Sequence, residues 1–156
     1  MLVMFAAASA VVLLCVLIQA GTGAVCIRFY ARFLPLHGLP TGAVPVVSLI
    51  FLMVMCLLTG HLLQIACWGL FFLWLGVFRD FQTALYFSGV TFTTIGYGDV
   101  VLPPGRYLLG PLVGITGLLM AGVSTAVMAA AVSNVINRRL AHLHGLRQAE
   151  KPVIST

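Results

Sequence analysis

The residues best suited to chemistry lie together in the segment TIGYGD, which runs from Thr94 to Asp99. Successive residues of an ordinary β-strand face opposite sides, so their carbonyl oxygens alternate. A backbone in which every second residue takes a positive φ can turn these oxygens to one side, and Gly96 and Gly98 adopt positive φ cheaply. Thr94 adds a hydroxyl oxygen. Such a row of oxygens is suited to coordinating a cation that has lost its water.

The other polar groups are scattered. His61 and Gln64 are three residues apart, so on a helix they share a face. Two interpretations are open, a proton sensor and an interhelical hydrogen bond, and we favour the hydrogen bond. The four cysteines form no CxxC pair, and neither they nor the histidines show zinc or haem spacing, so we expect no cofactor. No carboxylate falls within the apolar runs, which argues against an intramembrane enzyme.

The composition predicts a membrane protein. Hydrophobic residues make up 62% of the chain and charged residues 7%, whereas soluble domains carry roughly a quarter charged residues. The net charge of +5 could suggest nucleic acid as a partner. The basic residues flank apolar runs, however, and this distribution is typical of topology signals and of contacts with anionic lipid. We therefore expect lipid contacts and no nucleic-acid partner.

The apolar runs divide the chain into four regions. We predict a transmembrane helix at residues 1–27. Residues 28–45 contain three prolines and are predicted to form a linker. Residues 46–139 hold most of the remaining apolar sequence, and residues 140–156 form a short polar tail.

The region 46–139 divides further. We predict a long outer helix at 46–78, either tilted or broken near Gly60, and an inner helix at 107–137. The stretch 80–93 between them is too short and polar to cross the membrane, and Asp80 is a plausible N-cap for it. It predicts a re-entrant helix followed by a loop at 94–99. The fold class is thus an all-α membrane protein with three transmembrane helices.

The segment from Thr91 to Asp99 resembles the signature of potassium channels. The order of elements also resembles that family, since a span, a short helix, the signature and a second span follow one another. The resemblance covers Val46 to Arg139. It implies that this region is a pore module and that 80–93 is its pore helix. It implies a selectivity filter in which potassium ions are coordinated by Thr94, Ile95, Gly96, Tyr97 and Gly98.

The resemblance implies further roles and a partner. Tyr86 and Phe87 stand where the family places large aromatic residues around the filter, and with Asp99 they are expected to support it. Gly117 and Gly122 match two glycines of the family's inner helix, and they serve equally well as gate hinges or as close-packing positions. Because each filter site needs oxygens from four strands in this family, we expect a homotetramer.

The sequence also departs from the family pattern. Val90 stands where many relatives carry a glutamate behind the filter, and Phe87 has no polar group to offer Tyr97 or Asp99. An extra helix precedes the usual two, and it has no arginine ladder of the kind that senses voltage.

The charges agree with the orientation that the resemblance implies, in which the filter faces outside. Six of the eight Lys and Arg residues then lie in the cytoplasm, as the positive-inside rule requires. We therefore expect a multi-pass protein of the cell membrane with its N-terminus outside and its C-terminus in the cytoplasm. The expected function is passive, selective conduction of potassium; the alternatives are a non-selective cation channel and a non-conducting scaffold protein.

Overall fold

The computed structural model describes residues 2–33 and 43–149. These residues form four α-helices, with no strand among them. They are α1 (Leu2–Phe33), α2 (Ala43–Trp74), the short α3 (Phe81–Phe92) and α4 (Leu109–Ala149). Three of them contain segments long and apolar enough to cross a membrane, namely Leu2–Phe29, Val47–Trp74 and Leu109–Asn137. The predicted all-α fold with three spanning helices and one short helix is confirmed.

Two helices extend beyond their predicted ends. α1 continues through Arg28 and Arg32, so the predicted linker at 28–45 begins too early. α4 likewise passes Arg138 and enters the region predicted as a tail. Arginine is a good helix former, so a charged residue marks the edge of the apolar span without ending the helix. The rest of the linker, at 34–42, and the end of the tail, at 150–156, lie outside the described residues.

α2 begins earlier than predicted and also ends earlier. Pro45 falls in its first turn, where a missing N–H breaks no helical hydrogen bond. At the other end Gly76 takes a φ of 62°, its N–H donates to the Leu73 carbonyl, and the Val77 N–H donates to the Phe72 carbonyl. These two bonds form a Schellman cap, which terminates α2 before the predicted residue 78.

α2 is unbroken at Gly60, which serves close packing. A Cβ at this position would lie 2.9 Å from the Thr22 side chain of α1. One face of α2 therefore meets α1 closely, and Gly69 does the same for α3, since a Cβ there would lie 3.3 Å from the Leu85 Cα. Through these contacts α1 and α3 both pack closely against α2.

The core draws on all four helices, and its largest side chains are aromatic residues of α2 and α3. Phe72 packs edge-on against Phe87 with ring centroids 5.2 Å apart, and Phe78 packs against the same ring at 5.3 Å. Trp68 is fully buried beside Phe72 and belongs to this core. Trp74, in contrast, is 69% exposed. This core holds α3 at a fixed position against the outer helix.

Candidate functional site

The short helix α3 has defined ends that position the segment after it. Asp80 is its N-cap, as predicted, and the carboxylate accepts a hydrogen bond from the Thr83 N–H at 2.7 Å. That hydrogen bond lowers the pKa of Asp80. α3 ends at Phe92, and the cap residue Thr93 donates its hydroxyl proton to the Gly89 carbonyl at 2.8 Å. The negative end of the α3 dipole thus lies where the TIGYGD segment starts, which favours a cation there.

The backbone after α3 alternates in handedness. Positive φ values occur at Thr94 (61°), Gly96 (59°) and Gly98 (79°), with Ile95 and Tyr97 between them. The expectation of positive φ at the two glycines is confirmed. Thr94 was not expected to share it, because a β-branched residue rarely adopts this conformation and pays a strain energy for it. The alternation is the one that a row of carbonyls turned to one side requires.

The lower half of this segment is tied to α3 by backbone hydrogen bonds. The N–H groups of Ile95 and Gly96 both donate to the Val90 carbonyl, at 3.0 and 3.3 Å, and the Thr94 N–H donates to Thr91. In the upper half, Tyr97 is 69% exposed, and the described part of the subunit provides it with no hydrogen bond. These backbone hydrogen bonds therefore support only the lower half of the segment.

A second attachment lies at the top of the segment. The Tyr86 hydroxyl of α3 donates to Asp99 Oδ2 at 2.7 Å, and Asp99 Oδ1 accepts from the Val100 N–H. The bond to Tyr86 lowers the pKa of Asp99 and raises that of Tyr86. The structure thus joins two of the three predicted support residues. The third, Phe87, is buried in the aromatic core and contributes only packing.

An open groove of about 800 Å³ separates these two attachments. Its walls include Tyr86 and Val90 of α3, and Ile95 and Val100 of the following segment. The position where many potassium channels carry a glutamate therefore presents an apolar wall here. The Val90 side chain has no polar group to offer the middle of the segment.

The comparisons with known proteins identify the family. Residues 49–134, more than half of the chain, match a family model described as "Ion channel". The chain belongs to this ion channel family. The match lies inside the predicted range Val46–Arg139, and the predicted resemblance to potassium-channel pores is confirmed. The channel is therefore a multi-pass membrane protein.

A curated relative of the channel is "TWiK family of potassium channels protein 18" of Caenorhabditis elegans, which is 41% identical over 70 residues. The aligned part covers 43% of this chain and 14% of the relative, so the channel matches only a small part of that protein's length. No solved structure matches the channel.

The two inner-helix glycines of the channel have different surroundings. A Cβ at Gly117 would lie 2.7 Å from the carbonyl carbon of Phe92 and would overlap its oxygen, so α4 touches the backbone of α3 there. A Cβ at Gly122 would meet nothing within 4 Å in the single subunit. Gly117 is thus a close-packing position, and Gly122 stays a predicted hinge.

His61 and Gln64 lie on one face of α2, as predicted, and both reach other helices. His61 Nε2 is 3.0 Å from Ser124 Oγ of α4, which confirms the interhelical hydrogen bond. Gln64 Nε2 donates to Gln19 Oε1 of α1 at 2.9 Å. The sequence analysis missed Gln19 and Ser124, although a polar residue within an apolar span is itself a signal for an interhelical contact.

Proposed function

We propose that the chain is the pore-forming subunit of a potassium-selective channel, through which potassium flows passively down its gradient with no chemical step and no cofactor. The observation that supports this most is the alternating positive φ at Thr94, Gly96 and Gly98 directly after the negative end of α3. In potassium channels such a segment replaces the hydration shell of the ion with carbonyl oxygens. The name of the relative from Caenorhabditis elegans, a potassium channel protein, points to the same ion.

The functional unit in this proposal is a homotetramer with fourfold symmetry. One subunit supplies one filter strand, which is too few oxygens for a dehydrated potassium ion. It also leaves Tyr97 exposed. In the 18-residue apolar segment of α4 that is long enough to cross a membrane, only 17% is buried within the subunit. Backbone groups left without partners in lipid are costly, so other subunits are the natural cover for the filter.

Selectivity is tested by purifying the channel into vesicles or planar bilayers. Currents should reverse near the potassium equilibrium potential and be blocked by barium. A reversal potential that ignores the exchange of sodium for potassium would instead indicate a non-selective cation channel. No current at all from a correctly assembled oligomer would favour a scaffold protein.

A matched pair of glycines tests whether the filter backbone itself selects the ion. Gly98 and Gly105 have similar φ values, 79° and 83°, and at each of them an added Cβ would meet no atom within 4 Å. Alanine strains the backbone equally at both positions, by roughly 1 kcal/mol or more. We expect Gly98→Ala to abolish potassium selectivity and Gly105→Ala, outside the filter, to retain it. Equal loss of selectivity in both variants would show that alanine acts by destabilising the protein in general and not through the filter backbone.

Subunit mixing tests the central pore. If one Gly96→Asp copy blocks a tetramer, equal expression of mutant and wild-type subunits leaves about one-sixteenth of the current, by random assortment into a closed ring. A current that falls only to half would show that each subunit conducts alone, and the tetrameric pore would have to be abandoned.

The proposed orientation places the N-terminus and the filter outside and the ends of α1 and α4 in the cytoplasm, where their arginines can contact anionic lipid. Single cysteines at Pro104 and at the exposed Ala141 test it in a background without the four native cysteines. Only Pro104→Cys should react with a membrane-impermeant thiol reagent on intact cells. Labelling of Ala141→Cys instead would show the opposite topology.

A further inference from the structure

A chain of polar side chains crosses the interior of the helical bundle. Gln64 Nε2 of α2 donates to Gln19 Oε1 of α1 at 2.9 Å, and Gln19 Nε2 donates to Ser124 Oγ of α4 at 2.8 Å. Ser124 Oγ lies 3.0 Å from His61 Nε2, back on α2. Gln64 is fully buried and Gln19 is 3% exposed. Four side chains thus connect all three membrane-length helices.

The donors in this chain can all point in one direction. The Gln64 amide donates to Gln19, and the Gln19 amide donates to Ser124 Oγ. The Ser124 hydroxyl proton can then be donated to His61 Nε2. This assignment requires the neutral imidazole tautomer with its proton on Nδ1. Within the chain Ser124 is the member that belongs to α4. Its hydroxyl therefore bonds the inner helix to α1 and α2, in addition to the apolar packing of Val127 and Ala131 on the same helices.

Ser124 lies just beyond the part of α4 that touches the filter region. Gly117 of α4 packs against the Phe92 backbone at the end of α3, while Gly122 has open space around it within the subunit. Ser124 follows Gly122 by two residues, or about 3 Å along the helix axis. A bend of about 30° at Gly122 would displace Ser124 by about 1.5 Å, enough to break a hydrogen bond of normal length.

We propose that Gln19 of the extra N-terminal helix, acting through Ser124, holds α4 straight across Gly122 and thereby sets the balance between the open and closed channel. This inference rests on the proposed function. Gln19 and Ser124 are positioning residues in it, because neither touches the permeant ion. α1 lies outside the segment 49–134 that matches the family, so membership of the family does not assign this role to it.

Single-channel recording of the purified channel tests the coupling. Gln19→Met keeps the approximate size of the side chain and removes its hydrogen bonds, and Ser124→Ala removes the hydroxyl. Each should change the ratio of open to closed time in the same direction, by about threefold per subunit for an interhelical hydrogen bond of average strength. Both variants break the bond between Gln19 and Ser124, and each also breaks one bond of its own, so the double variant should change the ratio by less than the product of the two single changes.

Controls separate this coupling from a general loss of structure. Ser9→Ala and Thr59→Val also remove hydroxyls from exposed positions, but these hydroxyls bond only to carbonyls of their own helices, at 2.9 and 2.8 Å, so both should leave the ratio unchanged. Ser124→Thr retains a hydroxyl and should restore most of the wild-type ratio. Unitary conductance and reversal potential should be unchanged in every variant.

The possible results give a clear decision. Wild-type gating in Gln19→Met and Ser124→Ala, or additive changes in the double variant, would overturn the coupling. If Gln19→Met does not assemble, the comparison of Ser124→Ala with Ser124→Thr and Ser9→Ala decides alone. A wild-type reversal potential that does not follow potassium would contradict the proposed function, while the open and closed times would still report on the coupling.

Discussion

Substituting Gly117 by alanine should be one of the most damaging small changes in the channel. The added methyl carbon would stand 2.7 Å from the Phe92 carbonyl carbon and overlap the oxygen, and backbone atoms cannot rotate away as a flexible side chain can. Carbon atoms pack best about 3.5–4.0 Å apart, so α4 must withdraw from α3 by about 1 Å. Such overpacking costs about 1–3 kcal/mol, and it outweighs the gain of about 1 kcal/mol in helix propensity on replacing glycine.

The matched control is Gly122→Ala on the same helix. Nothing lies within 4 Å of its Cβ in the subunit, so only the propensity gain applies and stability should rise by up to about 1 kcal/mol. Thermal unfolding of the purified oligomer compares the two variants, and potassium flux into vesicles compares Gly117→Ala with the wild type, because Gly122 is the proposed hinge. Gly117→Ala should lower the melting temperature and reduce flux, because the clash displaces Phe92 at the end of α3, two residues before the proposed filter. A Gly117→Ala protein as stable as Gly122→Ala and as active as the wild type would refute the close contact between α3 and α4.

Two other changes have defined outcomes. Arg106 Nη1 donates to the Leu75 carbonyl at 3.0 Å, so Arg106→Gln should lower the stability measured in a thermal melt by about 1–2 kcal/mol and retain selectivity. An unchanged melting temperature would show that this bond does not contribute to stability. The pKa of Asp99 is lowered by the Tyr86 hydroxyl, so the support it gives is complete above the ordinary aspartate range and is lost as external pH falls through the lowered value. In Tyr86→Phe this bond is absent at every pH, so current recorded against external pH should lose the acid sensitivity that the bond causes; a curve that coincides with the wild-type curve would exclude a role for this bond.

The sequence was sufficient for the order of elements and for several local features. Asp80 caps α3 and Gly96 and Gly98 take positive φ because capping and backbone handedness depend on residues close in the chain. Helix ends at Arg28 and Arg138 were predicted wrongly, since charge marks the membrane edge while helix propensity continues past it.

Features that depend on distant parts of the chain could not be read in this way. The burial of Trp68 and the contact of Gly117 with Phe92 follow from how α2, α3 and α4 pack. The bond from Gln19 to Ser124 joins residues 105 positions apart. The positive φ of Thr94 goes against its own residue preference, and we attribute it to the same tertiary requirement that places glycines at the two following alternate positions.

The way this filter is attached bears on how the channel fails. Its base is bonded to the Val90 carbonyl through the N–H groups of Ile95 and Gly96, and its top to Tyr86 through Asp99. The Tyr97 side chain between these attachments is 69% exposed in one subunit. Neither the Val90 nor the Phe87 side chain can donate a hydrogen bond to this middle part. In the proposed tetramer, support for the middle comes from neighbouring subunits, so we expect filter order and assembly to be thermodynamically linked. A change that weakens the oligomer should then impair selectivity before it unfolds the helices, as reversal potentials measured along a thermal or detergent titration would show.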